Sequence, residues 1–447
     1  MFRMNKSIYL AAFAALALTA CSNDQDEIFD QSAADRLEQY KKDYAEALTD
    51  EGGLWSMEYF SNDEEEGYVF VMKFNDNGSV DVSANHKWIG GTFKQETSLW
   101  KMIADNGPVL SFNSYNTLFH IFSDPANITG PDAPTGEEGD IDETGFGHEG
   151  DYEFQVMGIS DDGKTMRLLG KKWMHNIYLH RLDPSTDVEK YLSDVKASTD
   201  YFTPYVDYFN LVDANGEPFI VTGLNTGIVS VYPKNGDSVS QTRTGNIIFT
   251  TEGIRFMSPL EVPRAEESED PLVIETFKYQ PDGSLLSDEG VKIVGPYATD
   301  IFLRESFDFT WIVDLDKATG EFAQMIDNFV AEVKKEYPSR NIESIYFGYD
   351  VNDGVTTPAL NLKLSGTRAA TFYITYTSTS HEGVTFRVDG MNSQALTFEK
   401  KTKAFSDFAE QMSKFTYVFS SPDIMRPVRL VVKDKNNDNN TMEVEIK

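Results

Sequence analysis

Residues 68–82 read Tyr-Val-Phe-Val-Met-Lys-Phe-Asn-Asp-Asn-Gly-Ser-Val-Asp-Val and carry the clearest structural signal in the chain. Large apolar side chains stand at every second position from Tyr68 to Phe74, which predicts a strand with one face in a core. The following Asn75-Asp76-Asn77-Gly78 favours a tight turn of the primed kind. An antiparallel hairpin is therefore expected here.

The same period-two pattern continues on both sides of this hairpin. Further strands are predicted at 98–103, 109–112, 117–122, 152–159, 166–169 and 173–182. Asp-Asn-Gly at 105–107 and Asp-Asp-Gly at 161–163 provide turns between neighbours. Eight or nine short strands in about 130 residues favour an antiparallel meander closed into a barrel over residues 51–183.

The remainder of the chain also predicts a mainly β protein. Residues 184–201 form a helical connector in this interpretation, and alternating stretches predict a second, irregular β-domain over 202–320. From 321 to 447, amphipathic helical patterns occur among strands, which is typical of an α+β segment. The sequence leaves open whether these last two regions form one domain or two.

Charge excludes two classes of partner. The chain has 39 Lys and Arg against 72 Asp and Glu, a formal charge of -33. Binding to nucleic acid or to the surface of an anionic membrane requires the opposite sign. The single cysteine, Cys21, leaves no pair for an intrachain disulfide.

The first twenty residues resemble a secretory signal peptide. Arg3 and Lys6 precede an apolar run over 8–18, which is too short to span a bilayer. Leu18-Thr19-Ala20-Cys21 resembles a bacterial lipobox, which implies cleavage after residue 20 and acylation of Cys21. Several acyl chains anchor a protein stably, because each buried CH₂ contributes about 0.8 kcal/mol. The membrane is thus an expected partner.

Residues 21–50 form an acidic tether and a short helix in this interpretation. The stretch Ser-Asn-Asp-Gln-Asp-Glu at 22–27 resembles the export signal of Bacteroidota lipoproteins displayed on the outer face of the outer membrane. A solvated acidic tether without such a signal is the alternative. Apolar residues at helical spacing over 32–48 predict the helix, with Ser32 as its N-cap.

The first barrel resembles the lipocalins. Gly53-Leu54-Trp55 is similar to their Gly-x-Trp opening, and Arg181 lies where such barrels often stack an arginine on that tryptophan. The resemblance implies that Trp55 and Arg181 close one end of the barrel. It assigns neither residue to a ligand.

Four segments resemble domain-of-unknown-function family 4302. They lie at 67–74, 107–112, 118–120 and 147–154, the last reading Gly-His-Glu-Gly-Asp-Tyr-Glu-Phe. The family comprises uncharacterised lipoproteins of the Bacteroidota, often encoded beside nutrient-uptake or adhesion components. The resemblance implies a location and those partners, and it supplies no catalytic residue.

A long loop rich in Pro, Gly and acidic residues contains a weak calcium pattern. Asp140, Asp142, Thr144, Gly145 and Asp151 fall at positions 1, 3, 5, 6 and 12 of an EF-hand-like register. Position 12 lacks the usual Glu, and the flanks are not helical in pattern. A solvated surface loop without a cofactor is the favoured interpretation.

No catalytic motif is present. The six histidines have no metal-ligand spacing, and neither a Gly-x-Ser-x-Gly elbow nor a phosphate-binding glycine loop occurs. We therefore expect a non-catalytic, surface-exposed lipoprotein that binds a ligand or partner for an uptake or adhesion system. A glycan and a small apolar molecule are both possible ligands. A hydrolase acting on glycans or peptides and a fimbrial subunit remain alternatives.

Overall fold

The computed structural model describes residues 32–62, 64–124, 148–202, 206–213, 216, 218–233, 242–262, 270–305, 310–352, 354–379 and 381–447. The predicted signal peptide, Cys21 and the acidic stretch lie outside these residues. So do three of the calcium candidates, Asp140, Asp142 and Thr144.

Three antiparallel barrels of eight strands follow one another along the chain. In each barrel every strand pairs with the next in sequence, and the eighth pairs back to the first. The first barrel contains β1 (Leu54–Tyr59), β2 (Tyr68–Phe74), β3 (Ser79–Ala84), β4 (Lys94–Ala104), β5 (Pro108–Phe112), β6 (Glu153–Ile159), β7 (Thr165–Gly170) and β8 (Asn176–Arg181). It follows α1 (Ala33–Thr49) and precedes α2 (Val188–Asp200).

The second barrel contains β9 (Tyr208–Val212), β10 (Pro218–Thr222), β11 (Ile228–Pro233), β12 (Arg243–Phe249), β13 (Gly253–Val262), β14 (Leu272–Tyr279), β15 (Leu285–Leu286) and β16 (Lys292–Val294). The third contains β17 (Trp311–Asp314), β18 (Ile342–Asn352), β19 (Val355–Leu364), β20 (Ala370–Ser378), β21 (Val384–Met391), β22 (Tyr417–Ser420), β23 (Arg429–Asp434) and β24 (Asn437–Ile446). Its helices are α3 (Ala298–Leu303), α4 (Gly320–Glu336), α5 (Ser393–Glu399) and α6 (Ala404–Met412).

The mainly β fold and the N-terminal antiparallel barrel are confirmed. The second region closes into a ring despite its irregular pattern, because the short strands β15 and β16 join β14 to β9. The helix-containing C-terminal region is a third barrel. Our division at residue 320 differs from the strand pairing, since β17 pairs with β18 and β24.

The interior of the first barrel is filled by its own side chains. Trp55, Met57 and Tyr59 point inward from β1 and are fully buried. A 3₁₀ turn at His120–Phe122 lies over one end, where Phe122 packs 5.5 Å from the Tyr59 ring. The predicted strand at 117–122 is therefore wrong, since this apolar run covers the end of the barrel.

The other end of the first barrel is covered by α1, whose N-cap is Ser32. Trp55 Nε1 donates to the Leu48 carbonyl at 2.9 Å, and the Arg181 guanidinium lies 4.4 Å from the Trp55 ring centroid. Arg181 also donates to the carbonyls of Ala47 and Asp50, at 2.7 Å each. These bonds satisfy carbonyls at the C-terminal end of α1 and fix that end against the barrel.

Gly53 is required where α1 turns into β1. Its φ is +64°, and a Cβ at this position would lie 2.2 Å from the carbonyl oxygen of Phe74. Gly90 has φ +91°, but a Cβ there would have no atom within 4 Å. A side chain would strain the backbone at both positions, but only at Gly53 would it also overlap another atom.

We expect Gly90→Ala to cost about 1–2 kcal/mol of stability, the penalty for left-handed backbone. Gly53→Ala should cost a further 1–3 kcal/mol or so, because the new methyl group overlaps a carbonyl that cannot rotate away. Differential scanning calorimetry of the two variants measures the difference. Equal destabilisation would contradict the close approach at Gly53.

Candidate functional site

The outer face of β1 is buried because the second barrel packs against it. Leu54, Ser56 and Glu58 point away from the first barrel's core, yet each is at most 6% exposed. The junction is filled by an apolar cluster of Leu54, Phe60, Val69, Val71, Leu192, Val195 and Ile248. Two hydrogen bonds also cross the junction. The Gly67 amide donates to the Ile247 carbonyl at 2.9 Å, and the Asn246 side-chain Nδ2 donates to the Glu65 carbonyl at 2.6 Å.

Glu58 is the charged residue at the centre of this junction. Its side chain is 6% exposed, and Arg255 Nε from β13 donates to Glu58 Oε2 at 2.6 Å. His180 Nε2 lies 3.1 Å from the other oxygen, Oε1, although the angle falls outside hydrogen-bond geometry. A buried carboxylate is costly unless it is paired, so the second barrel supplies the charge that Glu58 needs.

The guanidinium of Arg255 is held by a hydrogen bond at one edge and by an aromatic ring against one face. Its Nε donates to Glu58, and its guanidinium carbon lies 4.8 Å from the centroid of the Tyr178 ring on β8. Across the part of the chain that the structure describes, its two terminal nitrogens have no acceptor. The Arg255 side chain is 22% exposed, so these N–H groups remain available to a bound molecule.

A cleft of about 480 Å³ opens at this point between the two barrels. One wall comes from β1 and β8 of the first barrel, and the other comes from β13, β14 and the turn at 250–253. Tyr191 on α2 also lines it, and burial raises the pKa of its hydroxyl, which stays protonated at neutral pH. We call this space the interbarrel cleft. Its volume falls within the range of roughly 300–1,000 Å³ that small-ligand sites occupy.

Most of the charged side chains that line the interbarrel cleft belong to the second barrel. Lys278 pairs with Asp288 at 2.7 Å. Glu252 and Glu275 are exposed, and their carboxylates receive no hydrogen bond or ion pair from the described residues. The cleft therefore presents unpaired donors on Arg255 beside unpaired acceptors on two carboxylates.

Thr165, His180 and Glu58 do not form a hydrolytic triad. Thr165 Oγ1 lies 3.3 Å from His180 Nδ1, so a hydroxyl, an imidazole and the Glu58 carboxylate stand in a row. Thr165 does not line the interbarrel cleft, and Glu58 is already bound to Arg255. A nucleophile must face the substrate, so this row does not fulfil the roles of a triad.

A second cluster of titratable groups lies over one end of the first barrel. Glu65 accepts from His148 Nδ1, from Asn62 Nδ2 at 3.2 Å, from the Tyr68 hydroxyl at 2.6 Å and from Trp88 Nε1 at 3.1 Å. Burial acts to raise the pKa of this carboxyl, but the hydrogen bond and charge of His148 lower it overall. Because the four donors come from different parts of the chain, the cluster joins three loops over this end of the barrel.

Two other histidines are packed residues. Burial lowers the pKa of His86 to about 4, and its ring lies 5.1 Å from that of Phe122. Burial also lowers the pKa of His120, whose ring nitrogens contact the Asn116 amide and the Phe112 carbonyl. Both rings therefore remain neutral near pH 7.

Asp151 is the calcium candidate that the structure describes. Its two carboxylate oxygens accept from the amides of Lys172 and Trp173, at 2.8 and 2.9 Å. These bonds cap the turn between β7 and β8. Among the described residues no group of three or more His, Cys, Asp or Glu side chains is arranged to hold a metal ion.

Sequence analysis did not find the residues of the interbarrel cleft. Glu58 follows the ordinary polar-out alternation of a strand, and Arg255 lies 197 positions away. One signal was present in Val69 and Val71, which are apolar on the outer face of β2 and are buried by the junction. An apolar outer face on a barrel strand indicates that something covers it.

The effects of removing the two members of the buried pair should not be additive. We expect Arg255→Met to cost about 3 kcal/mol, because Glu58 stays buried without its main partner. The double change Glu58→Gln and Arg255→Met should cost less than the sum of the single changes, with a coupling of about 0.5–3 kcal/mol. Calorimetric unfolding of the four proteins gives this coupling.

Arg387 provides the control for this cycle. Its Nε also pairs with a carboxylate at 2.6 Å, that of Asp389, but its side chain is 75% exposed. Arg387→Met should therefore change stability by no more than about 1 kcal/mol. Additive effects at Glu58 and Arg255 would contradict a coupled pair.

Comparison with known proteins identifies a family for much of the chain. Residues 25–269 match the family described as a domain of unknown function, DUF4302. The match covers the first barrel and the second as far as β13, and it ends before β14 begins at Leu272.

Other comparisons add no function. No curated protein matches the chain. The solved structure of kievitone hydratase from Nectria haematococca aligns with 9% identity over 88% of this chain and 86% of that one, at a TM-score of 0.12. That score is too low to support an argument about fold or activity. Within the described residues no helix is long and apolar enough to cross a bilayer. Because more than half of the sequence matches it, the chain belongs to the DUF4302 family.

Proposed function

We propose that this protein is a lipid-anchored lipoprotein of the outer membrane, displayed on the cell surface, that binds an extracellular ligand without transforming it. The observation that carries the proposal is the interbarrel cleft, in which the Arg255 donors and the Glu252 and Glu275 acceptors face one space without protein partners. Unpaired polar groups gathered in a cleft are typical of a binding site.

The anchor and the fold are compatible in geometry. Cys21 lies eleven positions before Ser32, the N-cap of α1. Extended chain of that length reaches at most about 40 Å. Because α1 packs on the first barrel, an acylated Cys21 would hold this barrel near the membrane.

The barrel interiors argue against a small apolar ligand. The core of the first barrel is filled with buried aromatic and aliphatic side chains, including Trp55, Phe70 and Phe154. A void inside the third barrel holds about 10 Å³, which is about the size of one water molecule. A polar ligand at the junction fits the described residues better.

The closed rings argue against a fimbrial subunit. Donation of a strand to a neighbour needs an unpaired sheet edge or a detachable terminal strand. Among the described strands, each barrel is closed, and β24 pairs with both β17 and β23. A hydrolase would have to use Glu252 and Glu275, because the most buried carboxylate of the cleft, Glu58, is paired with Arg255.

The resemblance to Bacteroidota lipoproteins supports the biological setting. Such proteins are encoded beside nutrient-uptake or adhesion components, and a tethered binding protein would capture a ligand for one of them. The acidic stretch after Cys21 supports display on the outer face. The partner protein would then receive the ligand at the cell surface.

Protease digestion of intact cells tests this proposal. The wild-type protein should be degraded, whereas a variant with Asp24, Asp26 and Glu27 changed to Ala should stay membrane-bound and protected. Cys21→Ala should release the protein from the membrane fraction. Asn23→Ala with Gln25→Ala is a matched control in the same stretch and should behave as wild type. Protection of the wild-type protein in intact cells would overturn surface display.

A further inference from the structure

We infer that the interbarrel cleft binds a neutral, polyhydroxylated saccharide and that Arg255 is the residue that selects it. This inference rests on the proposed function, because it names the class of ligand for the same cleft. It follows from the donors, the acceptors and the charges that the described residues leave unpaired.

The donors come from a single rigid group. A guanidinium has five N–H bonds in one plane, and Arg255 uses the Nε bond for Glu58. The Tyr178 ring lies 4.8 Å from the guanidinium carbon and restricts its tilt. The terminal nitrogens are thus held as a fork whose two branches match a pair of neighbouring oxygens.

The acceptors lie on the same wall as Arg255, the wall that the second barrel supplies. Glu252 is in the turn before β13, and Glu275 is on β14. Ionised carboxylates accept hydrogen bonds and donate none. A ligand that contacts both Arg255 and these carboxylates must therefore accept from the guanidinium and donate to the carboxylates. Hydroxyl groups do both, and a saccharide carries them in adjacent pairs.

Charge decides between a neutral and an acidic saccharide. The positive charge of Arg255 is already balanced by Glu58 at 2.6 Å, and that of Lys278 by Asp288 at 2.7 Å. Arg181, the remaining cation of the cleft lining, donates to carbonyls at the end of α1. An anionic ligand would meet the uncompensated carboxylates of Glu252 and Glu275, so a neutral one is favoured.

Isothermal titration of the full-length protein in detergent tests the inference. The probes are neutral xylo-, manno- and gluco-oligosaccharides, with oligogalacturonate as the acidic counterpart. At least one neutral probe should bind, and oligogalacturonate should bind at least tenfold more weakly. Arg255→Lys keeps the charge beside Glu58 but removes the fork, so it should weaken neutral binding at least tenfold.

Arg387→Lys is the matched control, because its Nε has the same 2.6 Å bond to a carboxylate on the third barrel. It should leave binding unchanged. Glu275→Gln should also weaken binding, since an amide replaces one acceptor oxygen by a donor. Calorimetric unfolding of each variant establishes that it is folded.

Three outcomes would overturn the inference. Binding of no neutral probe, or neutral binding that Arg255→Lys leaves intact, would remove its basis. Preferential binding of oligogalacturonate that is lost in Arg255→Lys would also overturn the neutral class, but it would leave the cleft as a binding site and the proposed function standing. Failure of the protease test would overturn surface display without bearing on this class of ligand.

Discussion

Glu58 loses its water when the second barrel packs on the outer face of β1, and Arg255 is the group that compensates for that loss. The ion pair fixes how β13 lies against β1 and β8, and the interbarrel cleft is the space left beside it. Because Arg255 reaches Glu58 through Nε alone, the same contact that joins the barrels leaves its two terminal nitrogens without an acceptor among the described residues. One guanidinium thus takes part both in the docking of the two barrels and in the ligand recognition that we propose.

Each barrel is a closed sheet and therefore has no unpaired edge strand among the described strands. The pairing of β8 with β1, of β16 with β9 and of β24 with β17 removes the unpaired strands that make long antiparallel sheets prone to aggregation. Each of the three rings is also preceded by a helix, α1, α2 or α3. The chain repeats one plan three times, and the repeat is carried by topology, since the three helices differ greatly in length.

Local pattern predicted most strands of the first barrel, apart from residues 117–122, and did not predict the site. Alternation in β2 and the turn after it predicted the hairpin, and Gly53-Leu54-Trp55 with Arg181 predicted how one end is closed. β17 has four residues and pairs with the last strand of the chain, so no local period could assign it to the third barrel. The cleft depends on a contact between residues 58 and 255, and such a distant pairing leaves no trace in spacing.

Hydrogen–deuterium exchange of the full-length protein, with and without a mixture of neutral oligosaccharides, tests the central claim most directly, because it reports where a ligand acts. Slower exchange in the turn at 250–253, in residues 275–278 and in β8 on addition of the mixture is the result this account predicts. Exchange that is unchanged in these segments, or slowed only around residues 115–122 at the end of the first barrel, would contradict the assignment of the interbarrel cleft as the binding site.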